Sequence, residues 1–413
     1  MNKSILEVDF PIGEVRSLFP ALNRTYNTNQ VAYFDGPGGS QVALPVIQAM
    51  TNYMTRGGAN LHGVFQSSIE TEEIIANARR AIADLLGAKA EEVAFGANMT
   101  TLAFAIARAL GRGWKQGDEI VVTEIDHRAN VDPWRVVAEE LGMTVRWIKV
   151  NKEELALDTS DLHAIITEKT KLVAIGLASN GIGTINDVGK IAAVAKQVGA
   201  LVAVDAVHAV PHIPIDRDHL GADILLCSAY KFFGPHVGIA VIRSELFEQL
   251  NTYRLAPAPS YFPDKLETGT QNHEGIAGIE AAVQFMASLG HGDNRRARIL
   301  SGIERIEAYE NSLANKMRKE MATINGLKLF QAGPAIRKTP TISFQIDGRS
   351  PREVCQLMAD KYGIFIADGD FYATTLANML GIQADGGWIR AGLAPYNTKE
   401  EVDRFLLALV ELT

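Results

Sequence analysis

The stretch that decides the fold spans residues 201–235 and reads LVAVDAVHAVPHIPIDRDHLGADILLCSAYKFFGP. It contains two nearly continuous apolar runs, LVAVD (201–205) and DILLCS (223–228). Such runs, rather than alternating ones, are typical of parallel strands that are covered on both faces. The first run ends in Asp205, and Lys231 follows the second. Open α/β sheets bind ligands at the carboxyl ends of their strands, so we expect a site at this edge.

The same pattern continues on both sides of this stretch. Further candidate strands are VAYF (31–34), EVAF (92–95), EIVVT (119–123), TVRWI (144–148), KLVAIGL (171–177) and GIAVI (238–242). Helical spacing between them, as over 187–198, predicts βαβ units and an α/β fold with a parallel sheet.

The pattern changes after about residue 290. There the sequence predicts a long charged helix (293–322), strands at 341–346, 363–368 and 388–393, and helices at 351–361 and 399–411. We therefore predict a large domain over 26–290 and a smaller α+β domain formed by 1–25 and 291–413.

Composition excludes several classes of protein. The 413 residues are 47% hydrophobic and carry a net charge of −8, which argues against a nucleic-acid binder that relies on phosphate contacts. Two cysteines exclude a disulfide framework and a Cys-rich zinc module, and they favour a reduced, cytoplasmic compartment. Glu7 and Asp9 interrupt any signal peptide, and no stretch predicts a membrane span.

The chemistry of the pair Lys231 and Asp205 points to one cofactor. A lysine among aromatic residues is partly desolvated, which lowers its pKa and makes it a better nucleophile. Pyridoxal phosphate (PLP) needs such a lysine for a Schiff base and an acid that keeps its ring nitrogen protonated. Locally, Lys231 also fits a solvated turn and Asp205 a capping residue.

A metal site is the weaker alternative. His208 and His212 are four residues apart, but Pro211 and Pro214 interrupt any helix that would bring them to one face. We expect loop histidines and no metal.

The chain resembles the class V aminotransferase group of fold-type I PLP enzymes, and within it the cysteine desulfurase and selenocysteine lyase branch. The resemblance runs from YFDGPGG (33–39) to WIRAGLAPYNTKEEVD (388–403) and includes EIDHRANVDPW, ASNGIGTIND, FGANMTT and ETGTQNHEG. It implies a mostly parallel seven-stranded sheet in the large domain, and a homodimer with shared active sites.

The resemblance also implies roles for individual residues. The expected catalytic residues are Lys231 as the Schiff-base lysine, Asp205 as the partner of the ring nitrogen and His127 as the ring-stacking histidine. The expected cofactor contacts are His127, Asp205 and Lys231 together with Met99, Thr100, Asn180, His208, Ser228 and, from the neighbouring subunit, Thr270. The expected substrate contacts are Arg390, which binds the α-carboxylate, and His62.

The sequence departs from desulfurases at the nucleophile. Their small domain has a mobile loop with a cysteine that holds a persulfide, whereas the corresponding stretch IADGDFYATTLANMLG (366–381) has none. Cys227 and Cys355 lie in predicted core positions. Tyr230 replaces a histidine before the lysine, and Phe65 replaces a histidine on the substrate side.

We therefore predict a PLP-dependent C–S or C–Se lyase that acts on an amino acid by β-elimination. An aminotransferase or epimerase of the same family is the alternative, and a non-catalytic PLP-binding scaffold is the alternative from another class. Whether a sulfur-acceptor protein takes part is left open.

Overall fold

The computed structural model describes residues 9–413. Its larger sheet has seven strands, numbered in chain order: β1 (Val93–Gly96), β2 (Glu119–Thr123), β3 (Thr144–Ile148), β4 (Thr170–Gly176), β5 (Leu201–Asp205), β6 (Ile224–Ser228) and β7 (Gly238–Ile242). Their order across the sheet is β1-β7-β6-β5-β4-β2-β3. Only β7 runs antiparallel to its neighbours in this sheet. The predicted α/β fold with a mostly parallel seven-stranded sheet is confirmed.

Both faces of this sheet are buried, as the continuous apolar runs predict. On β5, Val202 and Val204 belong to one hydrophobic core, while Ala203 belongs to the core on the opposite face. Helices cover both faces, so each successive side chain of a strand enters one core or the other.

The helices lie mostly between these strands or follow them. They are α1 (Ile12–Ser17), α2 (Leu44–Arg56), α3 (Gln66–Leu86), α4 (Met99–Gly111), α5 (Asp132–Glu140), α6 (Leu162–Ile165), α7 (Val188–Gln197), α8 (Arg217–Leu220), α9 (Ser244–Gln249), α10 (His273–Ser288), α11 (Arg295–Met321), α12 (Pro351–Tyr362), α13 (Thr374–Leu380) and α14 (Lys399–Leu412). The helices predicted at 187–198, 293–322, 351–361 and 399–411 are confirmed as α7, α11, α12 and α14.

A smaller antiparallel sheet follows α11. Its strands are β8 (Leu327–Phe330), β9 (Thr341–Ile346), β10 (Ala367–Gly369) and β11 (Trp388–Gly392), in the order β8-β9-β11-β10. It packs against α11, α12 and α14 around a separate core that includes Phe344 and Phe405. This arrangement matches the predicted smaller α+β unit, although the boundary at residues 290–291 stays a prediction.

The strand expected over 363–368 is wrong as a single element. Ile364–Phe365 pairs in parallel with Ala32–Tyr33, so the predicted strand VAYF lies outside the seven-stranded sheet, and only the later residues join β10. Two further short antiparallel pairs join Thr25–Tyr26 to Asn29–Gln30 and Val150–Asn151 to Ala156–Leu157. β8 is a strand that the sequence analysis missed.

The described part of the amino-terminal segment lies across the junction between the two sheets. Phe10 stacks on Tyr309 of α11, with ring centroids 4.3 Å apart. The Phe19 ring contacts Phe285 of α10 at 5.3 Å and Tyr396, which precedes α14, at 4.8 Å. The segment thus joins the hydrophobic core beside the large sheet to the elements around the small one.

Candidate active site

A cavity of about 330 Å³ lies at the carboxyl ends of the large-sheet strands, where β11 of the small sheet approaches them. Most of the predicted site residues line it: Met99, Thr100, His127, Asn180, Asp205, His208, Ser228, Lys231 and Arg390. His62 and Thr270 do not. The chain thus brings together residues that are up to about 290 positions apart. They meet at the carboxyl ends of the strands, where open α/β sheets bind their ligands.

Lys231 follows β6 in a short turn, Ala229–Lys231, that turns its side chain into the cavity. Its Nζ donates to the backbone carbonyls of Pro37, at short range, and Gly38, at 3.0 Å. Burial lowers the pKa of Lys231 to about 7, and the positive charge of Arg390 adds to this effect. A large fraction of the amine is therefore neutral near pH 7, which is the form that attacks a carbonyl carbon.

Two carboxyl groups lie at the same edge. Asp205 ends β5, and its Oδ1 accepts from the backbone N–H of Val207 at 2.9 Å. Burial raises the pKa of Asp205 to about 6. Asp126 follows β2 and accepts from the backbone N–H of Gly176 at 2.8 Å. Burial, more than the charge of Asp205, raises its pKa to about 7. In its ionised form, each carboxylate would favour a protonated ring nitrogen beside it.

Asp126 is a cavity-lining residue that the sequence analysis missed. The available signal was its place beside His127, three residues after an apolar strand of the large sheet. Its Oδ2 also accepts from Asn130 Nδ2 at 2.9 Å, which fixes the start of the turn that bears His127.

The opposite end of the cavity has the features of a phosphate site. Helix α4 begins at Met99, and Asn98 caps it by accepting from the backbone N–H of Thr101 at 2.9 Å. The Met99 N–H lies 3.1 Å from the hydroxyl oxygen of Ser228, and Thr100 lines the same wall. A helix N-terminus with adjacent hydroxyls binds anions through its free N–H groups and its dipole.

The two predicted cofactor histidines differ in their surroundings. Nδ1 of His127 accepts from the Ala129 N–H at 3.0 Å, and burial together with the charge of Lys231 lowers its pKa to about 4. His127 is therefore neutral. Nε2 of His208 lies 3.0 Å from the hydroxyl of Thr339 and 2.9 Å from that of Thr341. One ring nitrogen of His208 is thus engaged with the small sheet, and its role toward the cofactor stays a prediction.

Arg390 lies on β11 and is 3% exposed. Its Nη1 donates to the carbonyl of Asn180 at 3.0 Å, and its Cζ lies 3.7 Å from the centroid of the Phe371 ring. Burial lowers its pKa to about 10, so it stays charged at neutral pH. Arg390 Nε and Asn180 Oδ1 have no hydrogen-bond partner among the described residues. Buried polar atoms without a partner indicate that this wall is suited to a polar ligand.

His62 and Thr270 lie outside this cavity. The side chain of His62 is exposed, and its Nδ1 is 3.5 Å from Glu72. Thr270 lines a different cavity, next to Thr101 and Gln271. The prediction that Thr270 reaches the phosphate of a neighbouring subunit remains a prediction, as does the substrate role of His62.

Neither cysteine lines the cavity. Cys227 lies in β6 and Cys355 in α12, and both are buried and free. Burial raises the pKa of both thiols, that of Cys355 to about 12. Each is therefore a neutral thiol near pH 7, and its position in the core keeps it from acting as a nucleophile.

Among residues 9–413, no group of three or more His, Cys, Asp or Glu side chains is arranged to hold a metal ion. His212, one of the two histidines considered for a metal, instead lies 2.8 Å from buried Glu310. No helix in the same part of the chain is long and apolar enough to cross a bilayer.

The family model for class-V aminotransferases matches residues 32–405. The chain belongs to the class-V aminotransferase family. Enzymes of this family depend on PLP, and the chain is therefore a PLP-dependent enzyme.

This class-V aminotransferase is similar to curated cysteine desulfurases. One from Yersinia pseudotuberculosis is 32% identical over 97% of this chain and 98% of the relative. Among solved structures, the apo cysteine desulfurase of Thermococcus onnurineus NA1 has a TM-score of 0.86 at 29% identity and covers 98% of both chains. The cysteine desulfurase CsdA of Escherichia coli has a TM-score of 0.84 at 27% identity, covering 97% of this chain and 98% of its own. These similarities confirm the predicted family branch.

The residues around the cavity fit PLP. The N-terminus of α4 and Ser228 suit its phosphate, Asp205 suits its ring nitrogen, and Lys231 suits its aldehyde carbon. The unpartnered Asn180 Oδ1 offers an acceptor for a hydroxyl group on the ring or the substrate.

Proposed function

We propose that this enzyme is a cysteine desulfurase-like C–S or C–Se lyase that removes the β-substituent of an amino acid by elimination, with Lys231 as the Schiff-base lysine. The observation that supports this proposal is one cavity that joins Lys231, Asp205 and Arg390 and that neither Cys227 nor Cys355 lines. Lys231 provides an amine, Asp205 an acid and Arg390 an anchor for the substrate carboxylate. Elimination requires no thiol of the enzyme.

When bound, PLP supplies an electron sink that makes the Cα–H bond of an amino acid acidic. The side chains of this chain then have separate tasks. Arg390 holds the α-carboxylate, which fixes the substrate over the cavity. Asp205 holds a proton at the ring nitrogen. Nζ of Lys231 takes the Cα proton, which its lowered pKa permits near neutral pH.

A persulfide route lacks its nucleophile in this chain. In that route an enzyme thiolate attacks the substrate sulfur, but the thiols of Cys227 and Cys355 are buried outside the cavity. In an elimination the sulfur or selenium leaves with the bonding electron pair and enters solution. The proposal therefore needs no sulfur-acceptor protein, and its partner is a small amino acid rather than a nucleic acid or a membrane.

We also propose a homodimer with shared active sites in the cytoplasm. The position of Thr270, away from the cavity of its own chain, supports a role at the cavity of a second copy. Two free cysteines support a reducing compartment.

The test is the set of products that the purified yellow holoenzyme forms from L-cysteine. Elimination yields pyruvate, ammonia and sulfide in equal amounts, whereas desulfuration yields alanine. Lys231→Ala is the inactive control and also excludes a non-catalytic scaffold if the wild type is active. The double variant Cys227→Ala/Cys355→Ala is the matched control for thiol chemistry, and it retains pyruvate formation if no thiol takes part. Alanine as the main product, or products lost in the double variant despite normal folding, contradicts the proposal.

A further inference from the structure

Two adjacent aromatic residues, Phe371 and Tyr372, form one wall of the cavity, which we call the aromatic wall. Their backbone φ values are +52° and +57°, in the left-handed region that residues other than glycine rarely adopt. Such a conformation persists only where the surroundings fix it, and it occurs preferentially at functional sites. They lie within 366–381, the stretch that corresponds to the cysteine loop of desulfurases.

Contacts on both sides hold the aromatic wall in place. The carbonyl of Phe371 accepts from Asn180 Nδ2 at 2.8 Å, and the carbonyl of Tyr372 accepts from the Arg128 backbone N–H at 2.8 Å. The Asp370 carboxylate accepts from the Tyr372 N–H at 3.0 Å. Both donors outside the segment lie in loops that follow strands of the large sheet. The segment is therefore attached to the large sheet rather than free to carry a group in and out of the cavity.

The two rings lie at different depths. Phe371 is half-buried and covers the guanidinium of Arg390. Tyr372 is 68% exposed, and its ring centroid lies 5.3 Å from that of His127. A substrate held by Arg390 therefore has Phe371 beside its carboxylate, and Tyr372 lies farther out, next to His127.

The charged side chains at the cavity are already assigned. Asp126 and Asp205 lie at the ring-nitrogen end, Lys231 at the reacting carbon and Arg390 at the carboxylate. Burial keeps His127 neutral. The charged residues next to Tyr372 in the chain fold, Asp370 and Arg128, do not line the cavity: Asp370 accepts from the Tyr372 N–H and the Thr374 hydroxyl, and Arg128 pairs with Asp132. The cavity therefore offers an ionised substituent no partner beside the Tyr372 ring. Cysteine itself ends at its sulfur and offers little surface to the outer ring. An apolar group on that sulfur would cover it and gain from aromatic contact.

We propose that the aromatic wall selects S-substituted cysteines whose sulfur carries an uncharged alkyl or aryl group. This inference rests on the proposed lyase function and names its substrate class. Tyr372 would be a specificity-determining residue, and Phe371 a positioning residue that acts through Arg390.

The reaction balances without an oxidant or a reductant. The Cα–H bond breaks and its proton goes to Lys231 Nζ, while the Cβ–S bond breaks and its electron pair leaves with sulfur. The thiolate takes up a proton, and one water hydrolyses the released aminoacrylate. In sum, the S-substituted cysteine and water give a thiol, pyruvate and ammonium.

The test compares S-benzyl-L-cysteine with L-cysteine on the holoenzyme, with pyruvate release as the assay. In the wild type, kcat/KM is expected to favour the S-benzyl compound about tenfold or more, the usual gain from a few buried apolar groups. Tyr372→Asn keeps a residue that tolerates positive φ but removes the ring, and it is expected to lower this ratio about tenfold. Tyr372→Phe, the matched control, keeps the ring and the ratio.

A second readout does not depend on turnover. Lys231→Ala cannot take up the Cα proton, so calorimetry on this variant gives the dissociation constants of both compounds. Tighter binding of S-benzyl-L-cysteine, lost when Tyr372→Asn is added, supports the aromatic wall. A wild-type preference for cysteine, or a ratio that Tyr372→Asn leaves unchanged, overturns it. If neither compound yields pyruvate, the lyase proposal fails, and the calorimetric preference still decides the role of the aromatic wall.

Discussion

Replacing Arg390 by glutamine tests the carboxylate anchor. Arg390 is 3% exposed, so its bonds to a substrate carboxylate would form largely away from water. Hydrogen bonds to charged groups contribute about 1.5–3 kcal/mol. Since about 1.4 kcal/mol is a factor of ten, Arg390→Gln is expected to lower kcat/KM about 10- to 100-fold. An anchor that binds substrate and transition state alike acts through KM, so kcat is expected to change much less.

The variant is chosen so that the fold survives. The amide of glutamine can still donate to the Asn180 carbonyl, and the other partner of Arg390, Asp35, is partly exposed and can be solvated. Arg352→Gln is the matched control, because it removes an 84% exposed arginine of α12 that does not line the cavity. Steady-state kinetics on both variants, with PLP content and melting temperature as checks on folding, measure the effect. A KM for Arg390→Gln equal to that of the control refutes the assignment.

Three further predictions concern residues assigned to the cofactor. Burial lowers the pKa of Lys231 to about 7. The rate of PLP capture by the apoenzyme is therefore expected to rise through pH 7 and then level off. Stopped-flow rates that still climb above about pH 9 contradict this expectation. Asp205→Asn is expected to slow elimination about 100-fold at unchanged melting temperature, whereas near-normal turnover excludes a catalytic role. Thr270→Ala is expected to weaken PLP binding about tenfold in an equilibrium titration; unchanged affinity excludes a phosphate contact.

The large sheet was predictable because most of its strands have a clear hydrophobic signal in the sequence. Most of them are short apolar runs, and burial on both faces requires that composition. The edge strand β3 (TVRWI) contains Arg146 and is only partly buried. The positions of Asp205 and Lys231 then followed from the rule that ligands lie at the carboxyl ends of strands. In contrast, β8 was missed because it is short and exposes Lys328 to solvent, which leaves little apolar signal.

The rest of the site depends on contacts that sequence spacing does not encode. The engagement of His208 with Thr341 spans 133 positions, and no local pattern indicates it. The aromatic wall depends on a left-handed backbone at Phe371 and Tyr372, a conformation that favours glycine or asparagine in sequence reasoning. Asp126 could have been found, since it adjoins His127 after a predicted strand. The roles assigned to the individual site residues remain predictions.

The amino-terminal segment has a consequence for the order in which the chain folds. Arg16 donates to Glu401 of α14 across 385 positions, and Phe10 stacks on a tyrosine of α11. Residues of this segment cannot complete their contacts until α14 has been synthesised. This segment therefore cannot finish docking before α14 is available, and contacts of such high sequence separation form slowly. Phe10 likewise lacks its aromatic partner until α11 has been synthesised.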